Sequence, residues 1–278
     1  MKSYYYLLNK IKQLLATTSE NRRINLKINQ GKPIPFEWGN ITYYLNPDKS
    51  AFYHIKNSTN KIHKMVQLIE PNPNIVFDVG GNCGLFSAFA KKCFPSSKIY
   101  CFEPSLELQK IITHNCPQGI ESHQIALSSN DEERRFYINP SSQQTNSLSK
   151  GAVELFCSSP SEKIVRCRSI DSFCIEKGIS RIDVLKLDVQ GFESEVLKGA
   201  KEQLPTVQQL FIESTWMEVD SIINIVPFAI EKGFKYLSVV NDVFLGADIL
   251  LSKELSQPDL NASIITFSIE DALHKSWF

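Results

Sequence analysis

Val76-Phe77-Asp78-Val79-Gly80-Gly81-Asn82-Cys83-Gly84-Leu85-Phe86-Ser87 runs from an apolar strand through a glycine turn into a helix. Gly80 and Gly84 remove Cβ atoms where the backbone must turn sharply and approach a ligand, and the helix that follows offers free N–H groups and the positive end of its dipole. In open α/β sheets such a turn lies at the carboxyl ends of the strands, near the switch in strand order. A dinucleotide fingerprint needs glycine at the first, third and sixth positions; counted from Gly80, the third is Asn82 and the sixth is Leu85. No G-x-x-x-x-G-K-[ST] run occurs either. Nicotinamide and P-loop chemistry both lose support. What remains is Asp-x-Gly-x-Asn-x-Gly, whose strand acid repels a pyrophosphate and suits a ligand carrying an ammonium group.

Outward from this turn, short β-branched or aromatic runs alternate with helical segments, which predicts a parallel sheet in an α/β fold. Strands are expected at Ile75–Val79, Lys98–Phe102, Ser122–Leu127, Asp183–Asp188 and Gln208–Glu213, with later ones near Tyr236–Val240 and Asp248–Leu251. Helices fit at Leu85–Cys93, Leu106–Asn115, Ile170–Lys177 and Phe192–Gly199. Ser141 to Ser147 is a polar surface loop, either a solvated linker or a lid. The second strand ends in Glu103-Pro104, and a carboxylate at that tip can accept both hydroxyls of a ribose in an adenosine-containing cofactor.

Four motifs in this order and spacing resemble the FkbM family of S-adenosylmethionine-dependent methyltransferases. They are Asp78 to Gly84, Phe102-Glu103-Pro104, Leu185-Lys186-Leu187-Asp188-Val189-Gln190-Gly191-Phe192-Glu193, and Leu197-Lys198-Gly199. The resemblance covers about residues 50 to 251. It implies a Rossmann-like, mostly parallel sheet of seven strands with the last one reversed and helices on both faces. The implied cofactor is S-adenosylmethionine, and the implied reaction is O-methylation of a hydroxyl on a sugar, glycolipid or secondary metabolite. Asp78, Gly80, Asn82 and Gly84 would hold the methionine end and Glu103 the ribose, while Ala126 and Leu127 would border the adenine; Gly81 and Pro104 belong to the same two cofactor loops. Gln190 departs from the pattern, which commonly has glutamate there, and an amide cannot be a base.

Methyl transfer from a sulfonium mainly requires the acceptor to be placed about 3 Å from the methyl group with water excluded. An alcohol keeps its proton at neutral pH, so a nearby base helps. Strand alternation puts Val184, Lys186 and Asp188 on one side. Asp188, at the carboxyl end, is the first candidate for base or sulfonium neighbour, and Glu213, ending the adjacent strand, is the second. Lys186, roughly 6 to 7 Å back along the strand, would pair with one of them or serve only as a structural ion pair. Glu193 reads either as a further catalytic acid or as an acid favoured by the first turn of a helix. Two carboxylates at neighbouring strand ends suit Mg²⁺, but Glu213-Ser214 replaces the Asp-Asn of metal-dependent catechol-type enzymes, so no metal is expected. No two of the five histidines have ligand spacing, and His123 reads as a packed strand residue. The chain lacks both the [Asn/Asp]-Pro-Pro-[Tyr/Phe] of base-amine methylation and the Pro-Cys nucleophile of cytosine methylation, which leaves a hydroxyl acceptor, small or glycan-type.

Residues 1 to 70 hold eleven basic against four acidic side chains in a chain of zero formal net charge. Leu7, Leu8, Ile11, Leu14 and Leu15 form the stripe of an amphipathic helix, and Gly39-Asn40 between two strand-like runs reads as a hairpin turn. The expected organisation is therefore a helix and hairpin extension over 1–70, covering part of the acceptor site, and a methyltransferase domain over 71–278. Zero net charge argues against a nucleic-acid partner. No apolar run approaches the roughly 18 residues of a membrane span, which leaves membrane-surface contact through the first helix as the alternative to simple packing. Seven scattered cysteines and no secretory leader pattern point to reduced, buried thiols in a cytoplasm. The competing functional class is a non-catalytic binding or assembly protein that keeps the cofactor cleft as a scaffold. Composition and motifs are silent on oligomeric state.

Overall fold

The computed structural model describes residues 30, 32–38, 41–47, 59, 61–116, 119–215, 222–243, 246–254 and 265–268. In chain order the elements are β1 (Ile34–Trp38), β2 (Ile41–Leu45), helical turns at 61–67, β3 (Ile75–Val79), α1 (Leu85–Cys93), β4 (Lys98–Phe102), α2 (Leu106–Asn115), β5 (Ile120–His123) and β6 (Ala126–Leu127). There follow β7 (Glu132–Ile138), α3 (Lys150–Glu154), β8 (Ser161–Arg168), α4 (Ile170–Lys177), β9 (Val184–Leu187), α5 (Glu193–Lys198), β10 (Gln209–Thr215), α6 (Ile222–Glu231), β11 (Tyr236–Val243), β12 (Gly246–Ser252) and β13 (Ile265–Ser268).

The central sheet has the order β13-β11-β12-β10-β9-β3-β4-β5. β5, β4, β3, β9 and β10 run parallel, and β12 runs against both β10 and β11. This is the mostly parallel sheet of seven strands with the last one reversed, lengthened at its edge by β13, antiparallel to β11. Strand order switches at β3, which pairs with β4 on one side and β9 on the other. The glycine turn leaves from that point.

Period-two alternation divides the core. On one face Phe77, Val79, Tyr100, Phe102, Leu185 and Leu187 pack with Phe173 of α4 and Val196 of α5. On the other, Val76, Ile99, Val184, Phe211 and Leu250 pack with Phe86 of α1 and Leu108 of α2, and with Ile34, Tyr43, Leu45, Ile62 and Met65 from the N-terminal elements. The hairpin is also docked by hydrogen bonds. Asn115, at the end of α2, accepts from the Tyr44 amide (2.7 Å) and donates to the Tyr44 and Cys83 carbonyls (2.7 and 2.6 Å). The turn residues Gly39 and Asn40 and the stripe at residues 7–15 lie outside the described residues, while the flanking strands pair from Ile34↔Leu45 to Trp38↔Ile41.

The expected third strand is corrected: it breaks in two. β5 pairs with β4, but β6 leaves the central sheet and pairs with β8 in a separate three-stranded sheet of order β6-β8-β7. β7 and β8 were not expected from the sequence because β8 is largely exposed and β7 opens with the charged run Glu132-Glu133-Arg134-Arg135, leaving no apolar alternation to read. All seven cysteines are free; Cys83, Cys101, Cys167 and Cys174 are buried, Cys116 and Cys157 half-buried, and Cys93, ending α1, exposed. Among the described residues no helix is long and apolar enough to cross a membrane.

Candidate active site

The turn after β3 is built by backbone that only small or left-handed-tolerant residues adopt. Gly80, Asn82 and Gly84 have φ of 75°, 49° and 74°. A Cβ on Gly80 would lie 1.9 Å from the Asp188 carbonyl oxygen, and one on Gly81 would lie 2.2 Å from Cys101 Sγ. The Gly80 and Gly81 amides donate to the Phe102 carbonyl at 3.1 and 2.9 Å, stitching the turn to the tip of β4. There Glu103 accepts from the Asn82 amide (3.0 Å) and the Ser105 amide (2.9 Å), one on each carboxylate oxygen. A carboxylate has about four acceptor positions, so room remains for a vicinal diol. Burial pushes the Glu103 carboxyl up to about 7, against the opposing pull of those amides.

These groups open onto a cavity of about 250 Å³. Gly80, Gly81, Asn82, Glu103, Pro104, Ala126 and Leu127 line it together with Phe102 and Phe136, so most residues singled out as cofactor contacts are brought together. Asp78 and Gly84 are not among the lining residues. Gly84 caps α1. Asp78 is fully buried beneath the floor, where it accepts from Ser87 Oγ (2.7 Å) and lies 3.0 Å from Lys186 Nζ. Lys186 links Asp78 to the cavity; it also donates to the Gly80 carbonyl (3.0 Å) and lies 3.6 Å from Asp188.

Asp188, just past the end of β9, and Glu213, which lies within the neighbouring β10 two residues before its end rather than at the expected strand end, face the same cavity. Gln190 joins them. Its backbone is left-handed (φ 55°), and its amide nitrogen donates to Asp188 Oδ1 (2.8 Å) and to Glu213 Oε2. Lys61, from the helical turns at 61–67, stands between three carboxylates, 2.7 Å from Asp248, 2.9 Å from Glu213 and 3.7 Å from Asp188. Lys61 and Asp248 carried no sequence motif, and the expected pairing of Lys186 is found with Asp188 and Asp78 rather than with Glu213. Two neighbouring ammonium groups hold Asp188 well below the carboxylate range in spite of its burial, whereas burial and the adjacent anions hold Glu213 well above it.

The polar stretch at 141–147 forms a wall. Gln143 to Leu148 line the cavity, and the Ser147 hydroxyl donates to the Val189 carbonyl at 3.1 Å. Leu45, Ile62 and Met65, from the N-terminal elements, add an apolar rim. Glu193 is structural: its two oxygens accept from the Val189 and Gly191 amides at 2.9 and 3.0 Å and brace the Gln190 turn. His123 is packed among the Tyr100, Phe102 and Phe173 rings. Among the described residues no group of three His, Cys, Asp or Glu side chains could hold a metal ion.

The chain's own residues fit S-adenosylmethionine. A Cβ-free turn lets a ligand approach backbone, a diol acceptor stands at the next strand tip, apolar Ala126, Leu127 and Phe102 suit a purine, and anionic Asp188 suits a sulfonium or ammonium group. The family model of the methyltransferase FkbM domain matches residues 78–236. The 2-O-methyltransferase NoeI of Sinorhizobium fredii is 26% identical over 178 residues, 58% of this chain and 72% of that protein. Methyltransferase sdnD of Sordaria araneosa is 25% identical over 214 residues, 66% of this chain and 82% of its own. The hexuronic acid methyltransferase AglP of Haloferax volcanii is 26% identical over 143 residues, 50% of this chain and 55% of its own. The chain belongs to the FkbM family of methyltransferases, which use S-adenosylmethionine as methyl donor.

Proposed function

We propose that this protein O-methylates a hydroxyl of a sugar, glycolipid or other secondary metabolite. One observation carries the reading: Asp188 and Glu213 line the same cavity as Glu103 but stand across β3 from it, on the β9–β10 side, where Gln190 holds them together beside the place for a donor's methyl group. S-adenosylmethionine, when bound, supplies the electrophilic methyl group. Glu103 fixes the ribose and the glycine turn the methionine end, Asp188 balances positive charge, and the carboxylate pair receives the proton that an alcohol oxygen must lose. Gln143, Gln144, Thr145 and Asn146 present amide and hydroxyl groups suited to a polyol, and the Leu45–Ile62–Met65 rim excludes water. The printed activities of NoeI, a 2-O-methyltransferase, and AglP, a hexuronic acid methyltransferase, support a glycan-type acceptor.

Calorimetric titration with S-adenosylhomocysteine, with NAD as control, tests the cleft; a panel of glycosides and polyols with labelled donor tests the acceptor. Binding of the first ligand alone and label on a hydroxyl oxygen are expected. Label transferred only to amines overturns the reading.

A further inference from the structure

We propose that Lys61 is a positioning residue that makes Glu213, rather than Asp188, the group that takes the acceptor's proton. The inference rests on the O-methylation reading above. Asp188 is flanked by two ammonium groups, Lys61 Nζ at 3.7 Å and Lys186 Nζ at 3.6 Å, and its other oxygen takes the Gln190 amide at 2.8 Å. Such a carboxylate is a fixed counter-charge and a poor proton acceptor. Glu213 meets one ammonium group, Lys61 at 2.9 Å, and the same amide, but it also faces two anions, Asp188 at the end of β9 and Asp248 on β12. Two carboxylates in one site whose surroundings push their proton affinities apart divide the acid–base roles between them.

The direction of each shift agrees with that division, Asp188 down and Glu213 up. Lys61 is the counterweight. Burial and the two anions raise Glu213 toward its neutral form, and the Lys61 ammonium opposes them, favouring the carboxylate. As the oxygen–methyl bond forms, the sulfur–methyl bond breaks with its electron pair on sulfur and the hydroxyl proton passes to Glu213. The sulfonium charge and the Glu213 charge vanish together, so the charge of the site is conserved. Lys61 lies outside residues 78–236, so the core of the family domain does not contain it.

The test is the pH profile of methylation together with a direct titration of Glu213 by carboxyl carbon-13 NMR, its resonance identified with Glu213→Gln. Lys61→Gln can still donate to both carboxylates without the charge, and Lys61→Arg keeps the charge. Lys61→Gln is expected to move the acid limb of kcat and the Glu213 titration together, by about one pH unit or more to the alkaline side. Lys61→Arg should restore both, and Asp188→Asn should move the limb the opposite way without removing it. A limb that disappears in Asp188→Asn, or an unmoved Glu213 titration in folded Lys61→Gln, overturns the proposal. Hydroxyl turnover with an unshifted limb overturns it while leaving O-methylation standing. A shifted titration with turnover of amines alone overturns O-methylation and leaves the hold of Lys61 on Glu213 standing.

Discussion

Glu213 and Asp248 stand directly opposite each other across the antiparallel β10–β12 pair, and the ammonium of Lys61 lies 2.9 Å from one and 2.7 Å from the other. Like charges in that position repel; the lysine turns the repulsion into a bridge. The pattern repeats two strands away, where Asp78 faces Lys186 in the parallel β3–β9 register at 3.0 Å. Alternation puts all of these side chains on the face covered by the N-terminal elements. The docking of those elements and the charge balance of the site are therefore one arrangement.

Removing Lys61 takes a 2.7 Å ammonium partner from Asp248, which is only 3% exposed, and a 2.9 Å one from Glu213. Lys61→Met should lower stability by about 3 to 5 kcal/mol in urea unfolding. Adding Asp248→Asn should recover much of the loss, and a double variant no more stable than Lys61→Met would count against the pairing.

Gly80→Ala combines a left-handed backbone with a Cβ 1.9 Å from the Asp188 carbonyl, whereas Gly178→Ala (φ 66°) meets nothing within 4 Å. Gly178→Ala should cost about 1 kcal/mol and leave S-adenosylhomocysteine affinity alone. Gly80→Ala should cost more and weaken that affinity at least tenfold, because relieving the clash displaces both the turn and Asp188. Equal effects of the two substitutions would mean that the close approach to Asp188 is not what makes Gly80 necessary.

Glu103 binds its proton more tightly in the folded protein, at about 7, than at its ordinary 4.5. Its contribution to stability is therefore fully present below pH 4.5 and lost as pH rises through 7, a change of about 3 kcal/mol. Thermal unfolding from pH 4.5 to 8 should show that slope in the wild type and lose it in Glu103→Gln. With Glu103 proposed to hold the ribose, whose hydroxyls would donate to the ionised form, S-adenosylhomocysteine affinity should rise over the same range and its binding should release a proton. Parallel stability curves for the two proteins would mean that Glu103 does not titrate there.

Asn115 satisfies three backbone groups, the Tyr44 amide and carbonyl and the Cys83 carbonyl. Asn115→Ala should destabilise by about 3 kcal/mol and, by loosening the hairpin, raise the acceptor KM more than the donor KM. Steady-state kinetics with each substrate varied separates the two, and a selective rise in donor KM would place the effect in the Cys83 turn instead.

The amino-acid sequence by itself determined the local elements. β3, β4, α1, α2 and α4 form at the boundaries expected, because short β-branched or aromatic runs mark strands buried on both faces between helical segments, and Gly80, Asn82 and Gly84 mark backbone that few other residues adopt. The glycine-turn side of the cavity was legible for the same reason: Gly80 to Asn82 and Glu103, which line it, follow their strands within a few residues. The acceptor half was decided by tertiary structure. Lys61 and Glu213 meet across 152 residues, and the split of the third strand depends on β8, whose exposed faces carry no pattern. Gln190 read as the loss of a base; in place, it is the donor that joins two carboxylates. Such roles depend on register and on which charges share a buried face, and only the packed sheet brings those together.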